Sequence, residues 1–186
     1  MIIKNYSIVK VCPPRDSWVF VNIITETGHS GWGELTGSGH DSAAAHIAGD
    51  ALRTMVGKNC EVQHAAMEYN GFKYPPIQSK IFSVAWSGIG QAMWDAYAQS
   101  LGLPLYSLWG GSHTQIPLYA NLNRGLLADR CGDALARNAC QALADGFMMV
   151  KATPFDELDP WQKHWQGLEP AFERLARLFT EVDSPK

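Results

Sequence analysis

The stretch from Pro117 to Lys186 limits the fold more than any other part of the sequence, because it alternates strand and helix signals twice within 70 residues. Pro117–Asn123 reads as a strand. Asp129–Asp145 reads as a helix with Leu135, Ala139, Ala142 and Leu143 on one face, stopped by Gly146. Phe147-Met-Met-Val150 follows as an apolar run without alternation, the pattern of a strand buried on both faces. A polar loop over Lys151–Asp159 then leads into an amphipathic helix carrying Leu168, Phe172, Leu175 and Phe179. A β-α-β-α order calls for parallel strands joined by right-handed crossovers. A closed β/α barrel takes about 250 residues, so two such strands are expected to form only a segment of one.

The first 112 residues follow different rules. Ile2–Val11, Ser17–Thr25 and Ser30–Leu35 read as three strands of an antiparallel meander, with Gly28 free to take positive φ in the turn before the third. One face of that sheet needs a helical cover. Asp41 or Ser42 can cap a helix running to Val56, with Gly57 placed as its C′ glycine. A short helix over Glu61–Tyr69 is expected next. Ser79–Leu101 is the strongest helical signal, ended by Gly102 and Pro104. Gly88 and Gly90 inside it each cost roughly 1 kcal/mol relative to alanine. Either something approaches the backbone closely there or the helix bends. Trp32, Trp86, Trp94 and Trp109 are expected in the core between sheet and helices. The reading is thus an α+β domain over residues 1–112, followed over 113–186 by an incomplete β/α segment.

Composition narrows the partners. Fifteen Lys and Arg against 18 Asp and Glu give a net charge of −3, and 46% of the 186 residues are hydrophobic. The balance offers no electrostatic footprint for nucleic acid or an anionic membrane. No stretch reaches membrane-spanning length, and the N-terminus lacks a basic region followed by a long apolar one. Cys12, Cys60, Cys131 and Cys140 lie far apart, with no paired spacing for zinc and no disulfide framework. A soluble cytoplasmic protein is expected.

Three motifs carry a resemblance. They are Gly31-Trp-Gly-Glu34, Ser87-Gly-Ile-Gly-Gln-Ala-Met-Trp-Asp95, and Gly102-Leu-Pro-Leu-Tyr-Ser-Leu-Trp-Gly-Gly111. In this order, running into a βα unit, they resemble the mandelate racemase and muconate lactonizing branch of the enolase superfamily. The resemblance covers residues 1 to about 180. It implies a capping domain over the mouth of a modified β/α barrel, with Mg²⁺ assisting proton abstraction α to a carboxylate. The enediolate that forms must be held by a divalent cation while a Lys or His takes the proton.

Lys151 is the best catalytic candidate. It ends the apolar strand, at the side where β/α barrels place their chemistry. The family pattern at this strand end is K-x-K, with the second lysine as base, whereas Lys151-Ala-Thr153 stands here. A hydroxyl cannot serve as that base at neutral pH. In a complete barrel Lys151 reads as functional; in this chain alone it reads as a strand-end lysine reaching solvent. Asn121, Asn123 and Arg124 close the first barrel strand. Asn121 and Asn123 face one side, and Arg124 either takes a substrate carboxylate in a bidentate pair or pairs with a neighbouring acid. In the capping domain the resemblance places specificity loops at Cys12–Ser17 and Thr36–His40, with Arg15, Asp16 and His40 as their polar tips.

A metal site is not expected. In the family three carboxylates at successive strand ends hold the metal, about 25–30 residues apart. Here Asp156, Glu157 and Asp159 crowd one loop, Glu169 and Glu173 share a helix face, and Asp183 follows no apolar strand. The expected function is therefore the N-terminal portion of a Mg²⁺-dependent sugar-acid dehydratase or racemase, inactive alone. A small carboxylic or sugar acid would be the substrate of a complete relative. The alternative is a non-catalytic module that self-associates or aggregates through an open barrel edge. A Schiff-base enzyme using Lys151 would need a closed pocket.

Overall fold

In the computed structural model the described residues are 1–12, 17–37, 39–60, 79–122, 131–155 and 168–182. The expected helix at Glu61–Tyr69 lies outside them. The chain divides into two compact units, Met1–Ser112 and His113–Lys186.

The first unit opens with β1 (Ile3–Val11), β2 (Trp18–Thr25) and β3 (Ser30–Glu34), hydrogen-bonded in the order β1-β2-β3 and antiparallel throughout. Gly28, at φ +88°, makes the turn into β3 and donates its N–H to the Thr25 carbonyl at 3.0 Å. Alternation sends Ile3, Val19, Val21 and Ile23 to one face of the sheet, where they are essentially fully buried. Two helices cover that face: α1 (Asp41–Met55) and α2 (Lys80–Ser100). They contribute Ala44, Ala48, Ala51 and Leu52 from α1, and Ala85, Trp86, Ile89, Ala92 and Met93 from α2. Each buried Val, Leu, Ile or Met side chain stabilises by about 1.5–3 kcal/mol, and each alanine by less. A single turn of helix, α3 (Leu105–Leu108), was not foreseen; it follows Pro104, whose fixed φ suits a helix start.

Helix α2 lies unusually close to β3, and glycines make this possible. A Cβ at Gly33 would overlap the Gly88 carbonyl, and one at Gly31 would overlap the Ala92 carbonyl. A Cβ at Gly88 would sit 2.8 Å from the Glu34 carbonyl oxygen. The close approach inferred from helix-interior glycines therefore holds at Gly88. It does not hold at Gly90, where a Cβ would meet nothing within 4 Å.

Side chains of α2 also close the outer edge of β3. Gln91 Oε1 accepts from the Glu34 N–H (3.0 Å), Asp95 Oδ2 accepts from the Trp32 N–H (2.9 Å), and Gln99 Nε2 donates to the Ser30 carbonyl (2.7 Å). The first two motifs of the sequence are thus two halves of one helix–strand contact.

Several expectations change. The N-cap of α1 is His40, with Asp41 in the first turn; neither Asp41 nor Ser42 caps. The carboxylate of Asp41 instead turns back to accept the Gly37 N–H at 3.2 Å. Of the four tryptophans placed in the core only Trp86 is buried. Trp32 is 50% and Trp109 62% exposed, and Trp94 packs edge-on against Trp109 with ring centroids 5.6 Å apart. Trp32 points to the sheet face that α1 and α2 leave uncovered, because its neighbours Gly31 and Gly33 take the covered one.

The second unit holds β4 (Tyr119–Asn121) and β5 (Met149–Lys151), paired in parallel, with α4 (Gly132–Ala144) and α5 (Glu169–Val182). Leu135, Ala139, Leu122 and Leu178 form its small core. The doubly buried strand expected at Phe147–Val150 is not found: Met148 is 80% and Met149 49% exposed. Two strands give that segment cover on one side only. The last helix also turns differently. Ala171 and Leu178 are the buried residues of α5, while Phe172 and Phe179 stand at 63% and 60% exposure. Leu178 packs with Leu135 and Ala139 of α4, and the close approach of the two helices falls at Gly132, where a Cβ would lie 3.1 Å from Arg177 Cβ.

Candidate functional site

The parallel register of the second unit sets Asn121 directly beside Lys151 at the C-terminal ends of β4 and β5. The Leu122 N–H donates to the Lys151 carbonyl at 2.9 Å, extending the ladder one residue past the strand. Tyr119 lies two residues before Asn121 and so on the same sheet face. The ammonium of Lys151 stands 5.4 Å from the centre of the Tyr119 ring, a cation–π geometry that steadies an otherwise exposed side chain. Beyond β5, the guanidinium of Arg174 on α5 donates to the Pro154 carbonyl at 2.9 Å, anchoring the chain just past Thr153. The strand ends therefore present an ammonium, an amide and an aromatic face together. Such a set can bind a small hydroxylated anion: the ammonium meets a carboxylate and the amide meets a hydroxyl.

Arg177 on α5 pairs with Asp133 (2.5 Å) and Glu181 (3.0 Å), and these carboxylates hold its pKa above the ordinary arginine value. It fastens α5 to α4 and takes no part in the strand-end cluster.

Of the other expected site residues, His40 belongs to the first unit. Its carbonyl accepts from the Ala43 and Ala44 N–H groups at 2.9 and 3.1 Å, which places the residue at the start of α1. Arg15, Asp16, Asn123 and Arg124 lie outside the described residues. So do Asp156, Glu157, Asp159 and Asp183. Among the described residues no three His, Cys, Asp or Glu side chains converge, so those residues do not fit a magnesium ion. No described helix is long and apolar enough to cross a membrane.

Sequence reasoning missed one hollow of about 430 Å³ at the end of β3, lined by Glu34, Thr36, Lys80, Ser83, Ser87 and Gln91. Its signal was present as the polar spacing of Ser83, Ser87 and Gln91, four residues apart on one helix face.

A three-stranded meander under two helices, followed along the chain by a parallel βα pair, is the order of an enolase-superfamily capping domain leading into its barrel. The chain belongs to the mandelate racemase / muconate lactonizing enzyme N-terminal domain family, which its residues 9–110 match. It is 32% identical over 106 residues to a D-galactonate dehydratase from Verminephrobacter eiseniae, covering 53% of this chain and 25% of that enzyme. It is 28% identical over 140 residues to a D-gluconate dehydratase from Thermoproteus tenax, covering 74% of this chain and 28% of that enzyme. Among solved structures, a mandelate racemase/muconate lactonizing enzyme-like protein from Roseovarius sp. TM1035 superimposes with a TM-score of 0.81 at 22% identity. That match covers 98% of this chain and 50% of the other. The chain thus spans about half the length of this structure and under a third of these two dehydratases.

Proposed function

We propose that the chain supplies the capping domain, residues 1–112, and the first two βα units, residues 113–186, of an enolase-superfamily sugar-acid dehydratase. Asn121 and Lys151 are the groups that meet the acid substrate. The observation that carries this reading is the side-by-side placement of Asn121 and Lys151 at one strand end, with Lys151 over Tyr119. Kinship with D-galactonate and D-gluconate dehydratases supports a polyhydroxylated acid as the ligand class. Lys151 binds the carboxylate and holds negative charge as the α-proton leaves. Thr153 stands where the family's second lysine would be, so the proton goes to a base elsewhere. Arg124, Asn123, Arg15, Asp16 and His40 complete the substrate contacts in this reading, in a cytoplasmic enzyme. Magnesium, which the family uses to stabilise the enediolate, would come to carboxylates beyond the described ones.

Titration of the ¹⁵N-labelled chain with D-galactonate tests the reading. Saturable shifts at the Asn121 and Lys151 amides are expected, and Lys151→Met should abolish them. Shifts confined to other residues, or unchanged in the variant, would overturn it. Turnover should need the rest of a barrel; turnover by the chain alone that survives Lys151→Met would also contradict it.

A second reading rests on the exposed Met148, Met149, Phe172 and Phe179 of the second unit. Apolar surface of this kind favours self-association, and the chain would then act as an interaction module.

A further inference from the structure

The two edges of the three-stranded sheet are treated differently. The β3 edge is closed by Gln91, Asp95 and Gln99, as described above. The β1 edge is not. Both backbone groups of Val19 turn toward the β3 side: its N–H donates to Thr36 Oγ1 (2.9 Å) and its carbonyl accepts the Leu35 N–H (2.7 Å). Backbone groups alternate sides along a strand, so Trp18, Phe20 and Asn22 turn toward β1, where they face Val11, Val9 and Ser7. It follows that Tyr6, Ile8 and Lys10 turn their N–H and carbonyl groups outward. The Tyr6 N–H is met by the side chain of Asn5 at 2.8 Å. Before Tyr6, the edge is covered by residues 56–60, through the bridges Ile2↔Asn59 and Ile3↔Val56. Among the described residues no hydrogen bond reaches the outward groups of Ile8 or Lys10.

Beside this open edge runs a groove of about 690 Å³ between β1 and α1. Ile8, Val19, Ala45 and Gly49 give it apolar lining beside the polar Ser7, Ser42 and His46, and Lys10 and Arg53 are its basic rim. Among the described residues, no carboxylate lines it. On α1, Asp50 accepts from one nitrogen of Arg53 at 2.6 Å and stands 4.0 Å from His46 Nε2. Tyr6, whose hydroxyl donates to the Gly49 carbonyl at 3.1 Å, fixes the strand against the helix. An open strand edge next to such a groove has the two requirements for strand addition: main-chain groups for affinity and a side-chain groove for selectivity.

We propose that the β1 edge over Ile8–Lys10 docks an extended acidic segment of a partner protein as a fourth strand. Its apolar side chains enter the groove and its carboxylates face Lys10 and Arg53. The chemistry of the rim selects the occupant. A second copy of this chain pairing edge to edge would bring two Lys10 and two Arg53 side chains into one groove system, whereas an acidic strand meets them with opposite charge.

The test uses the full chain and a fluorescein-labelled seven-residue peptide, Val-Thr-Glu-Thr-Val-Thr-Glu, whose valines and glutamates share one face of the strand, with the same peptide carrying lysine for glutamate as the counter-probe. Saturable binding of the acidic peptide alone is expected, with slowed hydrogen exchange at the Ile8 and Lys10 amides. Lys10→Gln removes charge only and should weaken binding about threefold. Lys10→Pro also removes the outward N–H, which an edge strand tolerates, and should weaken binding about tenfold further. Thermal melting of both variants checks that the sheet persists. Equal binding of the basic peptide, binding that leaves the Ile8 and Lys10 amides unprotected, or no binding would each overturn the proposal. Concentration-dependent dimerisation that protects those same amides without peptide would assign the edge to a second copy instead.

Discussion

Gly88 and Gly90 stand two residues apart in α2, and replacing each with alanine should move stability in opposite directions. At Gly90 the new methyl meets nothing within 4 Å. The substitution then keeps only the gain in helix propensity, roughly 1 kcal/mol. At Gly88 the methyl would press on the Leu35 side chain and lie 2.8 Å from the Glu34 carbonyl oxygen. Leucine can change rotamer, but the carbonyl belongs to a strand held by its ladder. Overpacking of this kind costs about 1–3 kcal/mol, with the upper end expected where backbone must move. After the propensity gain, a net loss of about 2 kcal/mol remains. Thermal unfolding, followed by far-ultraviolet circular dichroism and by tryptophan fluorescence, measures both. Gly90→Ala should raise the melting temperature by about 2–4 °C and Gly88→Ala lower it by about 4–8 °C. If both shift the same way, or Gly88→Ala melts at or above the parent, the close helix–strand contact is wrong.

Other outcomes follow from named contacts. Asp95→Ala removes the acceptor for the Trp32 N–H and should cost about 0.5–1.5 kcal/mol in urea unfolding, with faster exchange at the Trp32 amide. Tyr6→Phe deletes the bond to the Gly49 carbonyl and should cost about 1 kcal/mol by the same measurement. Replacing both Phe172 and Phe179, each mostly exposed, with glutamate should reduce association in light scattering without lowering helix content. Arg177→Met should destabilise the second unit more at low salt than at high salt, because its partners Asp133 and Glu181 are screened in concentrated salt.

The meander was legible because its signals are local. Val19, Val21 and Ile23 alternate inward, and Gly28 marks the turn. Gly88 carried readable information too, since a helix keeps a costly glycine only under some constraint. Gly90 carries the same letter without the constraint, and no single sequence separates the two. The outward tryptophans and phenylalanines were not legible, since large apolar residues are assigned inward by default. Trp32 goes outward because Gly31 and Gly33 claim the inner face, and Phe172 and Phe179 because Ala171 and Leu178 take the buried side of α5. At the candidate site, strand position brought Lys151 and Asn121 to attention. That they stand abreast, with Tyr119 beneath the ammonium, depends on a parallel register that hydrophobic pattern does not specify. The backbone polarity of the β1 edge was equally hidden, since it rests on which way Val19 turns.

The contact between α2 and β3 also acts as a length gauge. Gln91, Asp95 and Gln99 are four residues apart, about 6 Å per step along a helix. Glu34, Trp32 and Ser30 are two apart, about 6.8 Å per step along a strand. Run in opposite directions, the two scales stay within about 1 Å per step, close enough for three successive hydrogen bonds. One inserted residue between Gln91 and Gln99 would turn everything beyond it by about 100° and break the match. The contact between these two elements therefore fixes the spacing along each of them.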